Sequence, residues 1–259
     1  MGGPKGNTSA AASLLPANTG GRRARGPATL LFPPADHYIE DDAAFSRSVQ
    51  RGLARAAEGE SLVTFGLAIG SPKTEFGYIE SSGTPGAFGQ KKVARFIEKP
   101  PLARAKAYQR SRRHFWNSGM FAWRTDRFIH EMRAHAPHIL VEIKSKKALE
   151  ASYQRLPDLS IDYALMEKSK RVEVIPSDFP WSDLGTWAAL WEALATSSTD
   201  DVALAASTAR LESRGNLIHA KGFDVALFGV DDLVVVVDQH RLLITTREKS
   251  ASLKTLVSK

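Results

Sequence analysis

Alternating apolar and polar stretches near the start of the chain predict a strand, a helix and a second strand. The apolar run ATLLF is followed by the polar loop PPADHYIEDD, and then by a helix with Asp42 as its N-cap that stops at Gly59. The apolar run SLVTFGLAI comes next. This order forms a βαβ unit with a parallel sheet, so the PADH loop would lie at the carboxyl end of the first strand, where open α/β sheets bind ligands.

The same alternation continues to about residue 198 and indicates an α/β domain. The β-like runs are EFGYIE, KKVARFIEKP, HFWNSGMFAWR and RVEVIP, and helices are predicted over LARAKAYQRSR, TDRFIHEMRAHAP, SIDYALMEKS and GTWAALWEAL. Residues 1–27 are rich in Gly, Ala, Ser and Arg and have no sustained period. We therefore predict a loose lead-in at residues 1–27 and an α/β domain at residues 28–198.

The last part of the chain has a different pattern, which predicts a small β-rich domain at residues 199–259. The short β-runs NLIHA, VALFGV, LVVVVDQ and RLLITT are joined by turns containing Gly-Phe-Asp and Asp-Asp. No helix of similar length is predicted between them. The polar cluster SSTDD fits a domain boundary between the two textures.

The composition fits a globular protein of the cytoplasm. A chain of 259 residues with 43% hydrophobic residues can bury a sizeable core. No apolar run approaches the roughly 20 residues that cross a bilayer, and the N-terminal region contains no hydrophobic block of the signal-peptide type. The absence of cysteine excludes disulfides, thiol nucleophiles and cysteine-bound zinc. We expect a cytoplasmic location and no membrane partner.

The formal charge of +7 favours anionic partners. Four of the positive charges lie in an N-terminal stretch without acids, at Lys5, Arg22, Arg23 and Arg25. The other basic residues alternate with acids, and the aromatic residues fall in apolar runs rather than on a basic face. Phosphorylated small molecules are therefore favoured over nucleic acid as partners.

Two aspartates, Asp36 and Asp183, each follow a predicted strand. Carboxylates presented side by side from such loops hold a hard divalent cation such as Mg²⁺. Each aspartate also has an ordinary structural interpretation. Asp36 would serve as a turn or helix-approach residue, and Asp183 would serve as the N-cap of the GTWAALW helix. The stretch FPWSDLGTWAALWE raises a further question, because it sets Asp183 among three tryptophans.

Three further segments carry polar groups that suit a small ligand. In FIEKP, strand alternation would place Glu98 and Lys99 on opposite faces, where one takes a sugar hydroxyl and the other a phosphate; the alternative is a solvated Glu-Lys pair. In NSGM, the Asn117 amide both donates and accepts, and the alternative is a strand bulge. In FGYIE, Gly77 offers main-chain groups to a ligand or relieves a kink.

Other site chemistries have weaker support in the sequence. The seven histidines show no HxxxH or HExxH spacing, so a zinc site is not predicted. No G-x-S-x-G elbow marks a nucleophilic serine. A glycosidase with two carboxylates stays open, although nothing marks either aspartate for a raised pKa.

Read in order, six segments resemble the succession of motifs in mannose-1-phosphate guanylyltransferases: PADH, FGYIE, FIEKP, NSGMF, SIDYALMEK and WSDLGTW. The resemblance runs from about residue 28 to residue 195, and the C-terminal β-runs resemble the small β-helical tail of that family. It implies a Rossmann-like nucleotide-diphospho-sugar transferase sheet, incomplete at the N-terminus, with a β-helix-like appendage. The implied partners are GTP and mannose 1-phosphate, and the implied cofactor is Mg²⁺.

The reaction that the resemblance implies is attack by a phosphate oxygen of mannose 1-phosphate on the α-phosphorus of GTP, with release of pyrophosphate. By similarity, Asp36 and Asp183 hold the metal. Five further residues contact or frame the sugar phosphate: Glu98 and Asn117 at hydroxyls, Lys99 at the phosphate, Gly77 through its backbone, and Asp162 as scaffolding. The implied catalytic residues are Asp36, Lys99 and Asp183.

The N-terminal region departs from the family pattern. The family begins with a Gly-rich loop, GGxGTRLWPLSR, which wraps the triphosphate, whereas this chain offers only MGG and KGNTSAAA. We therefore expect little or no transferase activity from this chain alone, and an in-frame continuation upstream of Met1 would explain the difference. A non-catalytic sugar-phosphate or sugar-nucleotide binding module is the alternative. A sheet edge or the β tail is a candidate surface for a homodimer.

Overall fold

The structure is a computed structural model that describes residues 26–141 and 159–257. The chain divides into two compact units. Of the described residues, 26–35, 40–141 and 159–180 belong to the first unit, and 36–39 and 181–257 belong to the second. The lead-in expected at residues 1–27 lies almost entirely outside the described residues, and the domain boundary expected at residue 198 stays a prediction.

A six-stranded mixed sheet forms the centre of the first unit. Its strands are β1 (Thr29–Phe32), β3 (Leu62–Leu67), β4 (Gly77–Ser82), β5 (Lys91–Glu98), β6 (His114–Arg124) and β7 (Val172–Ser177). The strand order across the sheet is β1-β6-β3-β7-β5-β4. Strands β1, β3, β4 and β7 run in one direction, and β5 and β6 run in the other.

The predicted βαβ unit is present, but its two strands are not neighbours. Strands β1 and β3 run parallel, with the C-terminal half of β6 between them and antiparallel to both. In this arrangement Leu31 and Val63 both pair with Ala122 of β6, from opposite sides. Strand β6 has eleven residues, which is long enough to pair with β1 near its end and with β4 near its start.

Helices cover the sheet of the first unit. They are α1 (Asp42–Ala57), α2 (Leu102–Arg110), α3 (Thr125–His135), α4 (Pro137–Val141) and a π-helical turn (Asp162–Met166). The π-helical turn forms where SIDYALMEKS predicts a short helix. It carries Asp162 at its first position and buries Ala164, Leu165 and Met166.

The N-cap predicted for α1 is wrong by one residue. Asp41, not Asp42, has the extended backbone of a cap, and its Oδ1 accepts a hydrogen bond from the Ala44 N–H at 2.8 Å. Asp42 is already helical and stands in the first turn. The helix ends at Ala57, and the expected stop at Gly59 follows two residues later with φ +73°.

Stacked aromatic rings contribute large side chains to the buried core of the first unit. The Trp123 ring stacks on Phe128 of α3 with ring centroids 4.5 Å apart, and it contacts Phe32 of β1 at 4.7 Å. Trp123 and Phe128 are fully buried. Burial of such large rings stabilises the contact of α3 with the sheet by several kcal/mol, on the order of 2–3 for each ring.

The second unit combines a two-stranded ladder, helices and a small sheet. The ladder is β2 (Tyr38–Ile39) with β8 (Trp181–Ser182), so the loop predicted over PPADHYIEDD contains a short strand. The helices are α5 (Trp187–Leu194), α6 (Arg247–Ser250) and α7 (Lys254–Val257). The sheet has the order β12-β11-β10-β9 and consists of β9 (Val202–Leu211), β10 (Leu217–Phe228), β11 (Leu233–Asp238) and β12 (Arg241–Thr246).

Strands β9, β10 and β11 are parallel, and β12 is antiparallel to β11. The β-rich C-terminal region expected from the sequence is therefore confirmed. Within the described ranges, none of the helices has both the length and the apolar character needed to cross a bilayer.

Candidate functional site

A polar pocket of about 280 Å³ lies in the first unit, where β4 begins and β5 ends. Five of its lining residues are those that the sequence singles out for a sugar phosphate: Gly77, Glu98, Lys99, Asn117 and Asp162. They come from β4, from β5 and the residue after it, from β6 and from the π-helical turn. The fold therefore brings together side chains that are far apart along the chain.

Gly77 allows the Glu98 carboxylate to lie against the backbone of β4. The two residues stand directly opposite each other in the β4–β5 ladder. A Cβ atom at position 77 would lie 3.0 Å from Glu98 Oε2 and 3.5 Å from the Cβ of Asn117. A contact of 3.0 Å is tighter than nine in ten real Cβ contacts. A side chain at this position would therefore shift the Glu98 carboxylate by a few tenths of an ångström.

The Asn117 amide is fixed by two hydrogen bonds. Its Nδ2 donates to Asp162 Oδ1 at 2.9 Å, and its Oδ1 accepts from the Gly119 N–H at 3.2 Å. The NSGM segment also forms the bulge considered above, because β3 advances from Thr64 to Gly66 while β6 passes from Phe121 to Asn117. The Asn117 amide at this bulge contacts Asp162 in the pocket, so the structural and ligand-binding interpretations of NSGM are compatible.

The expectation that Glu98 and Lys99 lie on opposite faces is wrong. Strand β5 ends at Glu98, and Lys99 has a left-handed backbone with φ 44°. Strand alternation no longer applies there, and the Lys99 Nζ forms an ion pair with the Glu98 carboxylate. A left-handed conformation costs a non-glycine residue roughly 1 kcal/mol, and such backbone is enriched at functional sites.

Negative charge dominates the pocket. Burial raises the pKa of Asp162, the hydrogen bond from Asn117 opposes that rise, and the Glu98 carboxylate adds to it. Burial also raises the pKa of Glu167, with further contributions from Asp162 and Glu98. Among the described residues that line the pocket, Lys99 is the only cation. The pocket therefore suits a ligand with many hydrogen-bond donors and one anionic group.

Six of the residues that line the pocket are missing from the sequence-based set, and two of them carry ionisable side chains next to Asp162 and Glu98. Tyr163 and Glu167 follow Asp162 on the π-helical turn and just beyond it, and both border the pocket. Burial raises the pKa of the Tyr163 hydroxyl, and Glu98 and Glu167 raise it further. The signal in the sequence was the acid Glu167 in the MEK part of SIDYALMEK. The direction of the Glu167 side chain relative to Asp162 depends on the π-helical winding, which the sequence does not specify.

The two candidate metal ligands, Asp36 and Asp183, lie in the second unit, next to the β2–β8 ladder. Tyr38 pairs with Ser182 and Ile39 pairs with Trp181 in this antiparallel ladder. Continuing the same register by one step leads to His37 on one strand and Asp183 on the other. The two aspartates, 147 positions apart in the chain (183 − 36), are therefore carried by paired segments.

Neither aspartate serves as a helix N-cap. Asp41 caps α1, and Thr186 caps α5 through a hydrogen bond from the Ala189 N–H to its Oγ1 at 3.1 Å. The alternative interpretation of Asp183 as the cap of the GTWAALW helix is therefore wrong. Asp183 Oδ1 instead accepts a hydrogen bond from the Gly185 N–H at 3.0 Å.

Trp181, one of the three tryptophans near Asp183 in the sequence, joins the Asp183 segment to the segment that carries Asp36. The Trp181 indole Nε1 donates a hydrogen bond to His37 Nδ1 at 3.0 Å, and the two rings meet edge to face. Burial lowers the pKa of His37, while the carboxylates of Asp36 and Asp183 each oppose that change. Both carboxylates thus act on the same imidazole.

The donor set of this pair fits a magnesium ion. Mg²⁺ is commonly held by one or two carboxylates and completes its coordination with water and substrate phosphates. Asp36 is exposed and Asp183 is half-buried, so both retain room for such further ligands. Among the described residues there is no group of three or more His, Cys, Asp or Glu side chains suited to a metal ion. An ion here would rest on two carboxylates.

Comparison with known proteins places these features in a family. A model of the nucleotidyl transferase family matches residues 3–199. The alginate biosynthesis protein AlgA of Pseudomonas syringae pv. tomato is 36% identical over 243 residues, which cover 88% of this chain and 50% of that protein. Mannose-1-phosphate guanylyltransferase of Escherichia coli is 34% identical over 242 residues, with 88% and 50% covered.

A solved structure supports the same relationship. The crystal structure of mannose-1-phosphate geranyltransferase from Thermus thermophilus superimposes with a TM-score of 0.85 at 33% identity, covering 98% of this chain and 76% of that chain. The chain spans about half the length of the curated relatives that it matches. Because the family model covers most of the sequence and the fold agrees, this chain belongs to the nucleotidyl transferase family.

Proposed function

We propose that the chain acts in nucleotidyl transfer of the mannose-1-phosphate guanylyltransferase type, which converts GTP and mannose 1-phosphate into GDP-mannose and pyrophosphate. The observation that carries this proposal is the charge pattern of the polar pocket. An ionised carboxylate accepts hydrogen bonds and donates none, so a hydroxyl-rich sugar supplies the donors that the carboxylates need. One lysine at the rim matches one phosphate group.

In this proposal the pocket residues bind and orient the sugar phosphate. Glu98 accepts from a sugar hydroxyl, and Asn117 donates its second Nδ2–H to another, since its first is held by Asp162. Lys99 exchanges part of its contact with Glu98 for the sugar phosphate. Asp162 keeps the Asn117 amide in place and acts as scaffolding. Gly77 contributes backbone groups and the space that Glu98 occupies.

The chemistry itself needs no protein nucleophile. A phosphate oxygen of mannose 1-phosphate forms a bond to the α-phosphorus of GTP, and the bond from that phosphorus to the bridging oxygen breaks as pyrophosphate leaves with the electron pair. Alignment of the reacting groups supplies much of the rate enhancement in such transfers. Asp36 and Asp183 would hold Mg²⁺, which when bound neutralises charge on phosphate oxygens.

The activity of this chain alone is expected to be low, because it offers only MGG and KGNTSAAA where the family has its triphosphate-binding loop. The test is release of pyrophosphate from GTP in the presence of Mg²⁺, with and without mannose 1-phosphate. We expect a rate far below that of a full-length relative, dependent on the sugar phosphate and lost in Asp183→Asn. Turnover near that of a full-length relative would show that the low-activity prediction is wrong.

The alternative function is a binding module for sugar phosphates or sugar nucleotides that performs no transfer. The polar pocket alone would suffice for it. Isothermal titration calorimetry separates the two functions: an enzyme gives heat with both GTP and mannose 1-phosphate, whereas a binding module gives heat with mannose 1-phosphate or GDP-mannose and none with GTP. A chain that binds none of these ligands contradicts both functions.

A further inference from the structure

Two side chains to which the motifs assign no role, His37 and Trp181, form a hydrogen bond between the paired segments that carry Asp36 and Asp183. This hydrogen bond is called the tie below. His37 is the residue after Asp36, and Trp181 precedes Asp183 by two positions. The indole Nε1 of Trp181 donates to Nδ1 of His37 at 3.0 Å, and the ring centroids are 5.1 Å apart at 77°. Each end of this hydrogen bond therefore lies within two residues of a candidate metal ligand.

The backbone ladder beneath this tie is short. Strands β2 and β8 have two residues each, and Tyr38 with Ser182 and Ile39 with Trp181 are their paired positions. Two-residue pairings hold a register weakly, because isolated two-stranded ladders are only marginally stable. A side-chain hydrogen bond between partly buried rings adds a constraint on how far the two segments can separate.

The direction of the hydrogen bond also fixes the role of the imidazole. An indole nitrogen donates and never accepts, so His37 Nδ1 is the acceptor and carries no proton in this arrangement. That nitrogen is thereby unavailable as a metal ligand. Groups outside the ligand set of a metal site commonly orient the ligands themselves.

We propose that His37 and Trp181 are positioning residues for a divalent cation held by Asp36 and Asp183. The inference rests on the proposed function, since that function assigns the ion to the two aspartates. The tie keeps their carboxylates close before the ion arrives, so that binding does not have to order the two segments. Loss of the tie is expected to weaken cation binding while the carboxylates themselves stay in place.

The test uses Mn²⁺ as the probe and measures its binding to the full chain by electron paramagnetic resonance and water-proton relaxation. Trp181→Phe keeps an aromatic ring but removes the donor, and His37→Phe removes the acceptor. Each is expected to weaken Mn²⁺ binding about tenfold, the lower end of the effect of removing such supporting groups. His37→Asn offers Oδ1 as a substitute acceptor and is expected to stay within about threefold of the wild type.

Trp191→Phe is the matched control. It makes the same substitution in the same unit and removes an indole hydrogen bond of similar length, from Trp191 Nε1 to the Asp200 carbonyl at 2.9 Å. This control should lower the denaturation midpoint without changing Mn²⁺ affinity. The double variant His37→Phe with Trp181→Phe should bind no more weakly than either single variant, because one hydrogen bond can be lost only once.

The outcomes separate the positioning role from the metal site itself. Wild-type binding that disappears in Asp36→Asn and in Asp183→Asn supports the proposed metal site. If that holds but Trp181→Phe and His37→Phe bind Mn²⁺ as the wild type does, the positioning role is wrong and the metal site stands. Wild-type chain that binds no Mn²⁺, or binding that survives both asparagine variants, overturns the metal site and the positioning role with it.

Discussion

Asp162 shows most clearly how the environment of one residue sets its chemistry. It is partly buried, accepts a hydrogen bond from Asn117, and shares the pocket with Glu98 and Glu167. Burial raises its pKa, so the folded chain binds this proton more tightly than the unfolded chain does. The contribution of the carboxyl group to folding is therefore fully present below its unfolded pKa and is lost as the pH rises through the raised value.

The Asp162→Asn variant is expected to be more stable than the wild type at neutral pH. The new amide still accepts from Asn117, and the buried charge is gone. The free energy of unfolding, measured with urea from about pH 4 to about pH 7, should converge for the two proteins at the acid end. Asp126→Asn serves as the opposite case, because a hydrogen bond from Arg124 lowers the pKa of Asp126 and its removal should destabilise the chain at neutral pH.

The Gly77→Ala variant is expected to weaken binding of mannose 1-phosphate by about tenfold, roughly the loss of one hydrogen bond to a charged group. The added methyl group would lie 3.0 Å from Glu98 Oε2 and must push that carboxylate aside. Calorimetric titration measures the change. The control is Gly70→Ala, whose Cβ would meet only Trp116 at an ordinary 3.7 Å. Equal affinities for the two variants would contradict the close-approach role of Gly77.

The residues of the polar pocket were predictable from the sequence to the extent that they carry local patterns. FGYIE, FIEKP and NSGM each mark a strand with a polar group at a distinctive place, and the pocket contains one residue or more from each of them. The Glu98–Lys99 contact was not predictable, because it depends on a left-handed backbone at Lys99. The tie between His37 and Trp181 joins positions 144 apart, which only the folded chain brings together.

At the scale of secondary structure elements, local signals in the sequence located the helices and strands well. They did not predict which strands lie next to each other in the sheet. Strands β1 and β3 were both visible as apolar runs, and their parallel direction follows from the helix between them. Strand β6 lies between them, with Ala122 and Trp123 buried. No local pattern in β1 or β3 reports that a strand from much later in the chain separates them.

Helix α1 gives a direct test of the corrected cap. Asp41→Ala removes the side-chain acceptor for the Ala44 N–H and should cost about 1 kcal/mol in the free energy of unfolding. Asp41→Asn should retain most of that stability, because asparagine caps as well as aspartate. Asp42→Ala loses only a charge in the first turn, worth about 0.5 kcal/mol. A larger loss in Asp42→Ala than in Asp41→Ala would restore the cap first expected from the sequence.

A buried amide in the second unit bonds to backbone groups at the start of β11 and just before it. Asn216 is fully buried; its Nδ2 donates to the Val230 carbonyl at 2.9 Å, and its Oδ1 accepts from the Leu233 N–H at 2.9 Å. Asn216→Ala leaves both backbone groups without these partners, and we expect a loss of about 3 kcal/mol in the unfolding free energy. Urea denaturation followed by tryptophan fluorescence measures it. A loss below about 0.5 kcal/mol would mean that water replaces the amide.

At the scale of the whole molecule, the family was predictable because six motifs occur in a fixed order, although each alone is weak. The match over residues 3–199 and the TM-score of 0.85 agree with that order. The chain spans about half the length of the curated relatives that it matches. The site features lie in two compact units: the polar pocket in the first and the aspartate pair in the second.

The proposed function requires the polar pocket to bind a phosphorylated hexose. A crystal structure of the chain with mannose 1-phosphate would show whether it does. We expect sugar hydroxyls within hydrogen-bond distance, about 3 Å, of Glu98 and Asn117, with the phosphate at Lys99. A ligand bound elsewhere on the chain, or one in the pocket with its phosphate turned away from Lys99 and its hydroxyls away from Glu98, would contradict it.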